Sequence, residues 1–158
     1  MSGDQHFTTA DGCRIAYRID GPVDRPVLML SNSIATNLHM WDRSVAALGR
    51  SFRLLRYDTR GHGGSDAPAG PYSMDRLGRD VVELLDFLDI DRAHFLGLSL
   101  GGFIGQWLGV FAPNRIDRLI LSNTAPYLAA ELHFDDQIHA VLAASDMDAI
   151  AEDRKSVV

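Results

Sequence analysis

Residues 93–111 leave this chain little conformational choice. Ala93–Leu98 is a short apolar run of the kind that is buried in a sheet. Leu100–Phe111 follows at once as a helix, and Pro113 marks its stop. Between them stands Gly97-Leu98-Ser99-Leu100-Gly101-Gly102. A strand that passes directly into a helix forces strained backbone angles on the residue at the turn, Ser99. Small neighbours at Gly97 and Gly101 let the helix approach the strand without a clash. The Ser99 hydroxyl is then lifted above the sheet edge at a helix N-terminus. There the helix dipole and free N–H groups favour developing negative charge. A G-x-S-x-G pattern alone occurs by chance; between a buried strand and a helix it reads as a nucleophile turn. The plainer alternative is a glycine-rich turn with a solvated serine.

The rest of the chain repeats the same alternation of strand and helix. A short Phe7-Thr8-Thr9 segment precedes the turn signal Asp11-Gly12. Arg14–Ile19 alternates polar and apolar residues, which predicts a strand with one wet face. Pro26–Leu30 predicts a strand buried on both faces, followed by the polar loop Ser31-Asn32-Ser33. Trp41–Leu48 has the spacing of a short helix, and Phe52–Tyr57 that of a further strand. The strand runs into the glycine-rich loop Asp58–Ser65, which reads as a turn tucking Asp58 and Arg60 against neighbouring strands. Leu77, Val81, Leu84, Leu85 and Leu88 form one helical stripe within Ser73–Leu88, with Ser73 able to cap it. Ile116–Leu121 predicts the next strand. Beyond it only two helices are expected, Gln137–Ala144 and Met147–Glu152. Such alternation implies α/β architecture: a mostly parallel sheet, right-handed crossovers and helices on both faces.

Composition narrows the function. A length of 158 residues suits about one domain. The net charge of −6 argues against nucleic-acid binding, which leaves a basic footprint. The single cysteine, Cys13, makes no internal disulfide. No apolar run approaches the ~20 residues of a membrane helix. The polar stretch Met1–His6 is no signal peptide, so a cytoplasmic location is expected. There is no CxxC and no HExxH, so neither a metal nor another cofactor is expected.

A serine nucleophile needs oxyanion donors. The expected ones are the backbone N–H of Leu100, directly after Ser99, and an N–H from the loop after Pro26–Leu30. In that loop, Ser31–Thr36, Ile34 is the candidate and Ser33 the neighbouring choice. His62 precedes Ser99, whereas this architecture runs serine, acid, histidine. His133 and His139 follow Ser99 but lie in or near the helical tail and read as surface histidines. Asp117, Asp135, Asp136, Asp146 and Asp148 do not end a predicted strand. The chain therefore offers a nucleophile without a convincing acid or base. Trp41 and Trp107 read as packing residues.

Four segments carry a family resemblance: Leu30–Thr36 with Met40-Trp41-Asp42; Arg56–Gly63; His94–Gly102 running on to Gly109; and Leu119–Ala125. Over roughly residues 5 to 151 the chain resembles the 3-oxoadipate enol-lactonase group of the α/β-hydrolases. Asn32-Ser33, where many of these hydrolases have His-Gly, is the more specific mark. Ala35 departs from the family's usual glycine and is expected to stiffen the loop. The resemblance implies a small-molecule lactone or ester substrate, with ring opening of the enol-lactone in aromatic catabolism through an acyl-enzyme on Ser99. A histidine would move the protons and an aspartate would orient it. A different esterase or C–C hydrolase of the same fold stays open, as does a non-catalytic binding module. Oligomeric state is left open.

The expected organisation is an N-terminal part of the hydrolase core at 1–125, the start of a helical cap at 126–152, and a non-native tail at 153–158. Such folds need roughly 200–250 residues. The last strands, most of the cap and both triad partners of Ser99 are therefore expected to be missing, leaving an open apolar strand edge and little turnover. Asp153–Val158 is what one reading frame of a common sequencing adapter encodes. The nucleotides after codon 151 in the source DNA test this: adapter sequence is expected, and ordinary coding sequence would refute it.

Overall fold

The computed structural model describes residues 4–126. In chain order the elements are β1 (Gln5–Thr8), β2 (Arg14–Asp20), β3 (Val27–Ser31), α1 (Asp42–Leu48), β4 (Arg53–Tyr57), α2 (Met74–Phe87), β5 (Ala93–Leu98), α3 (Leu100–Phe111) and β6 (Ile116–Ser122). Single 3-10 turns occupy Leu38–Trp41 and Pro113–Arg115. The strands form a six-stranded sheet in the order β1-β2-β4-β3-β5-β6. β4, β3, β5 and β6 run parallel, while β2 is antiparallel to both of its neighbours. The bounds of β5 and α3 are those the sequence predicts. The predicted helices Gln137–Ala144 and Met147–Glu152, the histidines and aspartates of that stretch, and the 153–158 tail lie outside the described residues.

Helices cover the two faces through separate apolar clusters. On one face Leu77, Val81, Leu84 and Leu85 of α2 and Ile104 and Leu108 of α3 share a buried cluster with Ile15, Met29, Leu55 and Phe95 of the sheet. Burying each such side chain contributes about 1.5–3 kcal/mol. Ser73 accepts the Arg76 N–H at 3.1 Å and caps α2 as its sequence predicts. Trp107 lies against Gly78, where a Cβ would overlap its ring, so α2 and α3 meet closely there. On the other face Leu28, Leu30 and Leu54 bury against Trp41, Val45, Leu48 and Phe52. Among the described residues β6 is one of the two edge strands, and its Leu119, Ile120 and Leu121 stand 37%, 50% and 41% exposed.

Two readings of the sequence need adjustment. β2 is not wet on one face, because Ile15, Ala16 and Tyr17 are all buried. The glycine-rich loop after β4 folds over it: Ser65 Oγ accepts the Ala16 N–H at 2.9 Å, and Asp66 N–H donates to the Arg14 carbonyl at 2.8 Å. Trp41 ends the 3-10 turn rather than starting α1, because Asn37 caps that turn by accepting the His39 N–H.

Buried cations lock the loops to this frame. Arg60, 3% exposed, grips Asp80 of α2 through Nε and Nη2 at 2.6 Å each and Asp11 through Nη1 and Nη2 at 2.9 and 3.1 Å. Hydrogen bonding to Asp80 raises the Arg60 guanidinium pKa further above its usual range. Arg56, 2% exposed, joins Asp20 of β2 at 2.7 Å and Asp42 of α1 at 2.5 Å. No helix among the described residues is long and apolar enough to cross a membrane.

The pairs with Arg60 and Arg56 generate a prediction about acid stability. The Arg60 hydrogen bond holds Asp11 well below the usual carboxylate range, and the Arg56 bond lowers Asp42. A carboxylate whose folded-state pKa is depressed stabilises the fold fully above its unfolded value, about 4. That stabilisation is lost as pH falls through the folded value. The urea midpoint should therefore fall between about pH 5 and pH 2, and fall less in the Asp11→Asn, Asp42→Asn double variant. An equal fall in the two proteins would count against this account.

Candidate active site

The strand order itself locates a crevice. β3 connects through α1 to β4 on one side, and β5 connects through α3 to β6 on the other. The carboxyl ends of β3 and β5, adjacent in the sheet, thus send their chains apart. Ligands of open α/β sheets bind at such switch points. Ser31, the last residue of β3, pairs with Gly97 of β5, so the two turns that follow start side by side.

Ser99 sits in the turn from β5 to α3 with φ 53° and ψ −111°, the strained backbone its position between strand and helix predicts. Its own N–H donates to the Ser122 carbonyl at 2.9 Å, and its carbonyl accepts Gly102 N–H at 2.8 Å. The turn is therefore anchored to β6 on one side and to its own helix on the other. A Cβ at Gly97 would overlap the Gly101 carbonyl, and one at Gly101 would overlap the Ser31 carbonyl. These are the contacts that require glycine. The side chain of Ser99 is half-buried. The Leu100 N–H, the first of α3, donates to no acceptor among the described residues.

The facing loop, residues 32–38, is held at both ends. At one end Asn32 is buried, and its carbonyl accepts Gly101 N–H at 3.0 Å. Its side-chain amide donates to the Tyr57 carbonyl at 3.0 Å, and its Oδ1 accepts the Trp41 indole N–H at 2.7 Å. At the other end Leu38 N–H donates to Asp58 Oδ1 at 2.6 Å. Ser31 and Tyr57 hydroxyls share a hydrogen bond of 2.7 Å, and burial pushes the Tyr57 hydroxyl pKa well above the usual phenol range. Within the loop Thr36 Oγ1 donates to the Ser33 carbonyl at 2.6 Å. Ala35 adopts φ 58°, a left-handed conformation that costs an L-residue roughly 1–2 kcal/mol. Ile34 lies between these anchors, half-buried, and its N–H also donates to no acceptor among the described residues.

The turn carrying Ser99 and Leu100 and the loop carrying Ile34 thus leave the sheet side by side, joined where Gly101 N–H meets the Asn32 carbonyl. Other candidates stand elsewhere. His62 Nδ1 lies 3.2 Å from the Arg60 carbonyl, and Asp117 pairs with Arg92 at 2.9 Å on the surface. Trp107 packs between Gly78 and Phe111, as a packing residue should. Among the described residues no group of three His, Cys, Asp or Glu side chains is arranged to hold a metal. Trp41 does more than pack: it also orients Asn32. The sequence reads Asp58 as a tucked charge ending a buried strand, but not its backbone partners, which are Leu38, 20 residues upstream, and Gly64 in its own loop.

A parallel-centred sheet with a strained serine between strand and helix at its switch point defines a hydrolase scaffold. The chain belongs to the alpha/beta hydrolase fold family, whose pattern it matches over residues 26–155. It is similar to 3-oxoadipate enol-lactonase 2 of Acinetobacter baylyi, at 47% identity over 117 residues, covering 74% of this chain and 44% of that protein. Two crystal structures superpose well, each over 94% of this chain. One is a hydrolase from Pseudomonas aeruginosa PA01, with TM-score 0.89, 56% identity and 56% of that chain covered. The other is the enol-lactonase from Burkholderia xenovorans LB400, with TM-score 0.86, 41% identity and 57% of that chain covered. The chain spans about half the length of the curated relatives it matches.

Two substitutions test the backbone account. Gly97→Ala should lose about 3 kcal/mol of stability, the upper range of ordinary overpacking, because backbone rather than a movable side chain fills the space. Ala35→Gly should gain about 0.5–1 kcal/mol, the relief at positive φ outweighing the added unfolded-state freedom. Chemical denaturation measures both; a neutral Gly97→Ala or a destabilising Ala35→Gly would contradict the geometry.

Proposed function

We propose that this chain is the nucleophile-bearing part of a serine hydrolase that opens a five-membered enol-lactone of the 3-oxoadipate type. Ser99 Oγ attacks the ring carbonyl, and the resulting oxyanion is held by the N–H groups of Leu100 and Ile34. Collapse breaks the ring C–O bond. The leaving enolate is stabilised by delocalisation and takes up a proton to become a ketone, so ring opening is easier than loss of an alkoxide. Water then cleaves the acyl-enzyme to the carboxylate. The proton carrier for these steps is a histidine oriented by an aspartate. Among the described residues Ser99 makes no hydrogen bond to a histidine.

One observation carries the reading: a serine at φ 53° on a strand–helix turn, directly beside a pinned loop that begins with Asn32-Ser33. The similarity to enol-lactonases supports the substrate class. An aryl-esterase of the same fold would share the turn but not the preference for a lactone.

A chimera separates the possibilities. Residues 1–126 replace the matching part of Acinetobacter enol-lactonase 2, restoring a complete chain. The chimera should hydrolyse 3-oxoadipate enol-lactone in preference to simple aryl esters. Ser99→Ala within it should lower kcat by about 10⁴-fold or more, as loss of a triad nucleophile does. Preference for aryl esters would overturn the lactone assignment, and an active Ser99→Ala chimera would overturn the nucleophile.

A further inference from the structure

Asp58 is a buried carboxylate with an unusual set of partners. It is 2% exposed at the end of β4. The buried guanidiniums close to it in sequence are engaged elsewhere: Arg56 with Asp20 and Asp42, Arg60 with Asp80 and Asp11. Neutral N–H donors surround it instead. Oδ1 accepts Leu38 N–H at 2.6 Å and lies 3.4 Å from the Asn32 side-chain amide, while Oδ2 accepts Gly64 N–H at 2.8 Å. Burying a charge this way costs several kcal/mol before its hydrogen bonds offset it. One oxygen of that charge reaches both ends of the segment 32–38, and the other is fixed to the glycine-rich loop.

We propose that Asp58 is the positioning residue of the oxyanion loop. It closes residues 32–38 into a clamped turn with Ile34 N–H near its middle, and so sets where that N–H points. The inference rests on the nucleophile assignment of Ser99 and deepens it. A neutral residue does not serve as well. An asparagine in place of Asp58 turns its NH2 toward either Leu38 N–H or Gly64 N–H, setting donor against donor at one of the two anchors. Asp58 does not itself meet the substrate. Its influence passes through Leu38 and Asn32 to the Ile34 amide, and misplacement of about 1 Å at such a donor can cost on the order of 100-fold in rate.

The test uses the 158-residue chain and the single-turnover release of p-nitrophenol from p-nitrophenyl acetate, read per folded molecule. Asp58→Asn should lower the limiting acylation rate about 10–100-fold with little change in the half-saturating ester concentration. Asn32→Ala should do likewise, and the double variant should be no slower than the slower single variant. Asp80→Asn is the stability control: it removes a buried partner of Arg60 and should leave the per-molecule rate unchanged. Wild-type rates in Asp58→Asn, or multiplicative effects in the double variant, would overturn the positioning role. A Ser99→Ala chain as fast as wild type would instead overturn the nucleophile assignment. Should Asp58→Asn fail to fold, amide exchange on the unaltered chain decides: the Leu38 amide should be strongly protected, and rapid exchange there would overturn the proposal.

Discussion

At Gly97 and Gly101 the backbones of β5, α3 and β3 come together with no room for a side chain. That three-way contact determines the rest of the site. It forces the single residue between strand and helix into a strained conformation, and it sets the first helical N–H of α3 beside the loop leaving β3. It also uses the strand order: only because β3 and β5 are neighbours, with their connections departing in opposite directions, is there a crevice for the two turns to face. Apolar burial under α2 and α3 stabilises the sheet, but the glycine contacts bring β5, α3 and β3 together around Ser99.

The polar interior beneath the crevice follows a different logic. Arg56, Arg60 and Asp58 are all at most 3% exposed, and burying charges is costly. Each of these groups joins segments distant in sequence. Arg60 ties the loop after β4 to α2 and to the turn between β1 and β2, Arg56 ties β4 to β2 and α1, and Asp58 ties β4 to the segment after β3. Apolar packing tolerates small slips, whereas a hydrogen-bonded carboxylate does so poorly. The segment after β3 is therefore pinned rather than merely packed.

Much of this was legible in the sequence. The strand and helix flanking Ser99 are bounded as predicted because a single residue separates two strong periodic signals. That Asp58 and Arg60 tuck inward was readable from charges set among glycines after a buried strand, but their side chains meet α2, the β1–β2 turn and the flanking loops rather than the neighbouring strands. What escaped was tertiary. Arg14–Ile19 alternates like a half-wet strand, yet the loop carrying Ser65 and Asp66 covers its second face. Trp41 looks like a helix residue but belongs to a 3-10 turn whose indole orients Asn32. The shorter hydrogen bonds of Asp58 come from the backbone amides of Leu38 and Gly64, which no residue type announces. The cost at Ala35 was visible only as a departure from a family glycine until φ 58° gave it a cause.

The central claim is that one hydroxyl, at position 99, is chemically singled out by its backbone. Prolonged incubation of the 158-residue chain with a fluorophosphonate, followed by peptide mapping, tests it most directly. The account predicts a single adduct, on the peptide containing Ser99 and on that side chain. Label spread over several serines, or seated on another residue, would contradict it.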